Sequence, residues 1–148
     1  MNAHHIVCAS CTKSKRDEPT EAKDLYDESH YFNLQREYAE LVGTSWVILS
    51  AEHGVCYPNA WLEPYDTYLP DQSKAYREQW SEEVAQCLTL HNPRKVTMLA
   101  GSAYIDDVVP ELEAEGIEVL EPLRGLRPGE RLQRLQELIH ARKNETLC

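Results

Sequence analysis

The sequence lacks any apolar run near the roughly 20 residues that a membrane span requires, although 42% of its 148 residues are hydrophobic. The first residues also lack the cationic stretch and apolar core of a secretory signal. These absences lead us to expect a cytoplasmic protein with no membrane partner. Its length is about that of one average domain, and no repeat or linker divides it. We therefore expect a single domain over residues 1–148.

Cysteine is sparse and irregularly spaced, at positions 8, 11, 56, 87 and 148. An odd, scattered set argues against a disulfide framework and favours reduced thiols. Cys8 and Cys11 have the spacing of a zinc or redox half-site, but only His53 and Cys56 are available to complete it. We predict no bound metal and no cofactor, and a metal site on these four residues is the minor alternative.

The sequence also has fewer basic than acidic residues, 15 against 25, so its formal net charge is −10 at pH 7. Such a surface repels nucleic acid as a whole. Residues 122–134 are an exception, because they carry four arginines and one glutamate. This segment is either a local basic patch or one solvated face of a helix.

Four short apolar runs are typical of buried strands, at residues 5–9, 46–49, 95–100 and 117–120. Helical spacing predicts helices over residues 29–41, 71–90 and 128–142, and another between Gly101 and Gly116 that Pro110 breaks or kinks. Asp71 or Ser73 is expected to cap the second of these helices. Residues 51–70 carry three prolines and predict a long irregular loop, which in a compact domain is often functional.

Strands that alternate with helices imply a parallel sheet with both faces covered. We predict a three-layer α/β/α fold with a four-stranded, mostly parallel sheet in the order 2-1-3-4. Ligands of such sheets bind beyond the carboxyl ends of the strands, where the strand order reverses. The loops after the first three strands, residues 10–15, 50–54 and 101–104, should therefore meet at one site.

The loop after the first strand has the residue types of a catalytic or anion-binding loop. Lys13 and Lys15 each offer a point charge with several donors to an anionic ligand. A nearby cation favours the thiolate of Cys11, which makes it a candidate nucleophile. Thr12 is a candidate ligand contact in the same loop. The alternative is a polar surface turn whose lysines are solvated.

The loop after the second strand, from Ser50 to Gly54, contains a candidate acid/base. The ordinary pKa of His53 lies near operating pH, and Gly54 permits a tight turn that a ligand can approach. A structural histidine at a strand end is the alternative. Further along, Tyr65 can stack on a base and Asp66 supplies a carboxylate, or these residues only pack the long loop.

The turn after the third strand offers a weaker signal. Gly101 and Ser102 stand at a predicted helix start, where free backbone N–H groups favour an anion. Tyr104 follows in the first turn of that helix. Any strand-to-helix turn offers the same groups, so this indication is not specific.

Taken together and in order, several short segments resemble one family of unknown function. They are CTKSK (11–15), AKDLY (22–26), WVILSAEHG (46–54), PYD (64–66), GSAY (101–104), PLRGL (122–126) and Gly129. These segments resemble the domain-of-unknown-function family numbered 6884, small prokaryotic and phage proteins often grouped with the YaaA peroxide-stress proteins. The family usually has leucine where this chain has Val55, and residues 71–94 carry little of the pattern.

Two further resemblances concern the expected chemistry. The element formed by Cys11, Thr12 and Lys15 is similar to one in the core of archaeosine synthase, which acts on a deazaguanine base in transfer RNA. The expected three-layer fold is similar to that of uracil-DNA glycosylases. Both resemblances imply a site for a nucleobase, although similarity of fold alone is weak support for a function.

We therefore predict an enzyme directed at a base, a nucleotide or a nucleic acid, of the glycosylase or base-modifying type. The expected catalytic residues are Cys11, Lys15, His53 and Asp66. The expected ligand contacts are Thr12, Lys13, Ser50, Gly54, Tyr65, Gly101, Ser102 and Tyr104. The alternative function is a non-catalytic, YaaA-like module for DNA binding or stress response. The sequence leaves the oligomeric state open.

Overall fold

The fold is built around a buried strand, β1 (His5–Ser10), in a computed structural model that describes residues 4–146. The other strands are β2 (Thr20–Glu21), β3 (Ser45–Ser50), β4 (Gly54–Cys56), β5 (Trp61–Leu62), β6 (Lys95–Met98) and β7 (Glu118–Leu120). The helices are α1 (Ala22–Leu25), α2 (His30–Val42), α3 (Lys74–Leu90), α4 (Ser102–Ile105), α5 (Val109–Ala114) and α6 (Pro128–Thr146). A short 3₁₀ helix, Leu69–Asp71, precedes α3.

The main sheet has five strands in the order β4-β3-β1-β6-β7, and a separate ribbon pairs β2 with β5. The pairings β1–β3, β1–β6 and β6–β7 are parallel, whereas β3 and β4 are antiparallel. The predicted count of four strands is therefore wrong. The fifth strand, β4, lies in the segment predicted to be irregular, and Gly54 begins it with a φ of +73°. Glycine adopts this left-handed conformation at no steric cost.

Alternate residues of β1 face opposite layers, as the period of a strand requires. Ile6 and Cys8 belong to a core cluster that α3, α4 and α5 help to form. Val7 packs in a second cluster with α2 and α6, and Ala9 in a third with α1 and Phe32. Helices therefore cover both faces of the sheet, as predicted from the alternation of strands and helices.

Serine side chains cap the starts of α2 and α3. Ser29 accepts a hydrogen bond from the N–H of Phe32 at the start of α2, and Ser73 accepts one from the N–H of Tyr76 at the start of α3. The predicted cap at Ser73 is thus confirmed, and α3 begins three residues later than expected. The helix predicted between Gly101 and Gly116 is divided into α4 and α5. Pro110 lies in the first turn of α5, where its missing N–H costs nothing.

No helix within residues 4–146 is both long enough and apolar enough to cross a membrane.

Candidate functional site

A large cleft opens beyond the carboxyl ends of β1 and β6, with a volume of about 1040 Å³. Three segments form most of its wall: residues 10–15, 66–71 and 101–104. Ser29, Tyr31 and Arg131 complete the wall from the side of α2 and α6. Small-molecule sites typically measure about 300–1,000 Å³, so this cleft has room for a ligand of nucleotide size or larger.

The first loop is anchored at its base by two hydrogen bonds. The N–H of Cys11 donates to Leu49 O at 3.2 Å, which extends the pairing with β3 by one residue. The N–H of Ser10 donates to Oε1 of the fully buried Gln35 at 2.7 Å. Beyond these anchors, Cys11 Sγ lies 3.8 Å from Tyr104 Oη, and both residues line the cleft. Burial raises the pKa of Tyr104, so its hydroxyl stays neutral.

Lys15 folds back over two tyrosine rings instead of extending into solvent. Its Nζ lies 4.5 Å from the ring centre of Tyr65 and 5.8 Å from that of Tyr26. A cation over an aromatic face at such distances is attracted by the ring quadrupole. Burial lowers the pKa of Lys15, while the charges of Cys11 and Asp66 oppose that shift. The ammonium is therefore held in a defined position at the wall of the cleft.

Beneath Lys15, three hydroxyl groups form a hydrogen-bonded chain. Ser50 Oγ donates to Tyr65 Oη at 2.8 Å, and Tyr65 Oη lies 2.5 Å from Tyr26 Oη. Ser50 Oγ also accepts from the N–H groups of Glu52 and His53, at 3.2 and 3.0 Å. Burial raises the pKa of both tyrosines, so the chain consists of neutral hydroxyls. It connects the loop after β3 to the wall that supports Lys15.

His53 does not reach the cleft that Lys15 and Asp66 line. Its exposed ring meets the ring of Tyr65 edge-on, with 5.4 Å between centroids. It lines a separate cavity of about 220 Å³, together with Gly54 and residues of α3. The predicted convergence of Lys15, His53 and Asp66 on one cleft therefore holds for the lysine and the aspartate only. Tyr65 stands between them and the histidine.

The remaining predicted residues divide in the same way. Eight of the twelve predicted site residues line the cleft: Cys11, Thr12, Lys13, Lys15, Asp66, Gly101, Ser102 and Tyr104. The other four predicted residues do not line it. Ser50 is fully buried, and Tyr65 supports the wall from behind Lys15. His53 and Gly54 line the smaller cavity. The helix that begins at Ser102 has only four residues. Its dipole is correspondingly small, so the turn at Gly101 is a weaker anion site than the sequence suggested.

Three side chains near the cleft were not predicted as site residues. Gln35 shares the buried face of α2 with Phe32 and Ala39, and an amide within that apolar stripe was the available signal. Tyr31 and Arg131 line the cleft from α2 and α6. Arg131 lies within the arginine-rich segment, for which the sequence predicted either a basic patch or a solvated helix face as a whole.

That arginine-rich segment is not a uniform basic patch. Arg124 pairs with Asp106 at 2.9 Å and with Glu121 at 3.4 Å. Arg134 pairs with Glu137 at 3.8 Å on the outer surface of α6. Arg131 forms no ion pair within residues 4–146, and it faces the cleft. The segment therefore contributes a specific cation to the site and loses part of its charge elsewhere to acidic partners.

The four residues of the alternative metal site are not assembled as a ligand set. Within the described part of the chain, no three His, Cys, Asp or Glu side chains lie close enough together to hold a metal ion. Cys8 is fully buried in β1, and burial raises the pKa of its thiol. Burial also raises the pKa of Cys56, to about 11. Both thiols behave as small apolar core groups.

The structure is an α/β domain with a polar and aromatic cleft at the carboxyl edge of a mostly parallel sheet. A family model described as a family of unknown function, DUF6884, matches residues 6–137. The chain belongs to that family. No curated protein matches the sequence.

One solved structure, the crystal structure of AF0587, a protein of unknown function, shares the fold with a TM-score of 0.52 and 18% sequence identity. The match covers 91% of this chain and 44% of AF0587. At this level of identity the likeness concerns the fold alone. The chain thus spans less than half the length of that protein.

Proposed function

We propose that this chain is an enzyme that binds a nucleobase, as a nucleotide or within a nucleic acid, in the cleft beyond the carboxyl ends of β1 and β6. One observation carries the proposal: the same wall presents tyrosine rings and cations together. Tyr31, Tyr68 and Tyr104 line the cleft along with Lys13, Lys15 and Arg131. Aromatic faces stack on bases in a way that tolerates different sequences, and the cations suit an anionic backbone or phosphate.

The proposed reaction is of the glycosylase or base-modifying type. In a glycosylase-type reaction the bond between base and sugar breaks, its electron pair leaves with the base, and water adds to the sugar carbon. The proton that the water loses returns to the group that protonated the base. Asp66 is the carboxylate that stabilises the cationic sugar, and Lys15 donates a proton to the departing base. Cys11, beside Tyr104, contacts the base as an anchor. General acid catalysis of this kind contributes about 10²–10⁴-fold to a rate.

The resemblances to archaeosine synthase and to uracil-DNA glycosylases support this proposal as analogies of sequence or fold. The resemblance to YaaA proteins belongs to the rival function instead. The rival function, a non-catalytic DNA-binding module, has less support from the charges. The net charge of −10 disfavours a broad contact with phosphates. The acidic partners of Arg124 and Arg134 weaken the arginine-rich segment as a DNA contact.

A thermal-shift screen of bases, nucleosides, nucleotides and short oligonucleotides tests the proposal. A ligand present at 100 times its dissociation constant stabilises the folded state by about 2.7 kcal/mol. We expect at least one base-containing compound to raise the melting temperature. Complete indifference to all of them would contradict the proposal. The salt dependence then separates the two functions, because a DNA binder loses affinity steeply as salt rises.

Three variants locate the site. Lys15→Ala and Asp66→Ala are expected to weaken binding or turnover strongly, because both side chains line the cleft. His53→Ala is the matched control, since it alters an exposed side chain behind Tyr65. Equal losses in all three variants would contradict the separation of the two cavities and restore His53 to the catalytic set.

A further inference from the structure

We propose that Arg131 is the anchor for a phosphate group of the ligand, so that the cleft prefers a nucleotide over the corresponding nucleoside. This inference rests on the proposed function and adds to it the chemical class of the ligand. It concerns a residue of α6 that no sequence motif identified. Three features support it: the position of the guanidinium, the absence of an acidic partner within residues 4–146, and the charge of the surrounding wall.

Arg131 lies where two cavities adjoin. It lines the large cleft and also a smaller cavity of about 230 Å³, and the two share Gly101 and Ser102 as wall residues. A base bound among the tyrosines of the large cleft would place a substituent of its sugar toward this junction. A phosphate is the substituent that all nucleotides carry and nucleosides lack.

The Arg131 guanidinium is held in one orientation, and its two terminal nitrogens can donate to a ligand. Its Nε donates to Leu126 O at 2.9 Å, which holds the planar group in one direction. The side chain forms no ion pair within the described residues. A Cβ built on Gly101 would lie 3.8 Å from both terminal nitrogens of Arg131. The glycine therefore leaves that side of the guanidinium open, and the two nitrogens can donate as a fork to a phosphate.

Burial raises the pKa of Tyr31, and the nearby Arg131 guanidinium opposes that shift. The Tyr31 Oη atom is buried and makes no hydrogen bond of standard geometry within residues 4–146. Tyr31 lines the same cleft as Arg131. The neutral hydroxyl can accept from the guanidinium and still donate to an oxygen of a bound phosphate.

The wall of the cleft has the opposite charge to the protein as a whole. Its cations are Lys13, Lys15 and Arg131, and its carboxylates are Asp66 and Asp71, a balance of +1, whereas the whole chain carries −10. Lys15 is held over tyrosine rings near Asp66. Arg131 is thus the cation best placed to receive an added negative group.

The test compares nucleosides with their 5′-monophosphates by isothermal titration. The probes are adenosine, guanosine, cytidine, uridine and thymidine, each with and without the phosphate. We expect at least one monophosphate to bind about tenfold or more tightly than its nucleoside, as charge-assisted hydrogen bonds predict. Arg131→Gln should remove that margin, because it lowers the affinity for the monophosphate far more than the affinity for the nucleoside.

Arg134→Gln is the matched control. It makes the same substitution on the same helix, at an arginine that pairs with Glu137 on the outer surface. Gly101→Ala provides an independent variant, because the added methyl group would contact both terminal nitrogens of Arg131 and reduce the preference for the phosphate. A general loss of folding would lower the affinity for nucleoside and nucleotide alike, so the ratio of the two affinities reports on Arg131 itself.

Three results would overturn the inference. Equal affinity for nucleosides and monophosphates would do so while leaving the proposed function intact. An unchanged margin in Arg131→Gln would show that another group holds the phosphate. The absence of binding by every nucleoside and every monophosphate would refute both this inference and a nucleotide-sized ligand for the proposed function.

Discussion

The hydroxyl chain beneath Lys15 leads to a quantitative prediction for Tyr65→Phe. The substitution removes one oxygen, so Ser50 Oγ loses its acceptor at 2.8 Å and Tyr26 Oη loses its neighbour at 2.5 Å. Ser50 and Tyr26 are fully buried, and water does not replace the missing partner. A buried polar group left without a partner costs about 1–3 kcal/mol, so we expect the free energy of unfolding to fall by about that amount.

Urea denaturation followed by fluorescence measures this loss as a lower midpoint with an unchanged slope. The melting temperature should fall by about 2–4 °C per kcal/mol for a chain of this size. Tyr68→Phe is the control, because Tyr68 is 54% exposed and its hydroxyl remains solvated. Tyr65→Phe retains the ring below Lys15, so ligand affinity should change little. A variant within about 0.5 kcal/mol of the unmodified protein would refute the hydroxyl chain as a stabilising network.

Three further predictions concern single residues. Iodoacetamide should modify Cys11, which lines the cleft, and leave the fully buried Cys8 unmodified, as peptide mass spectrometry can show. Burial lowers the pKa of His5 below its ordinary value of 6.5, so the unfolded chain binds the proton more tightly. Stability should therefore fall as pH drops below about 6.5, and less so in His5→Gln in the same denaturation assay. Gly54→Ala should lower the free energy of unfolding by about 1–2 kcal/mol, because φ is +73° at this position. Gly129→Ala is the control: it lies at a helix start with open space around it, so the free energy of unfolding should not change measurably.

The strands of the parallel part of the sheet were predictable from the sequence because each is a short apolar run between polar segments. Once these strands are parallel, their loops meet at one edge, and most of the cleft wall follows from that rule. The edge strand β4 was not predictable in the same way. It has three residues, and hydrogen bonds to β3 define it more than any pattern of apolar side chains.

The division between Lys15 and His53 depends on a tertiary contact that no local pattern contains. Both residues follow strands of the same sheet, so the predicted topology indicated that their side chains would share one cleft. The Tyr65 ring comes from the long segment after β4 and lies between them, held by its hydrogen bond from Ser50. The packing of one side chain thus decides which predicted residues can act on the same ligand.

Arg131 could not be identified as a site residue from the sequence for a similar reason. Composition shows four arginines in residues 122–134, but only the fold shows which of them face acids and which face the cleft. Arg124 and Arg134 have carboxylate partners within a few residues or on a neighbouring turn, so their charges are compensated locally. Arg131 is turned inward by its bond to Leu126 O. In an acidic protein, a cation that lines a cleft and has no acidic partner within the described residues is more informative than the number of arginines, because its donors can bind an anionic ligand.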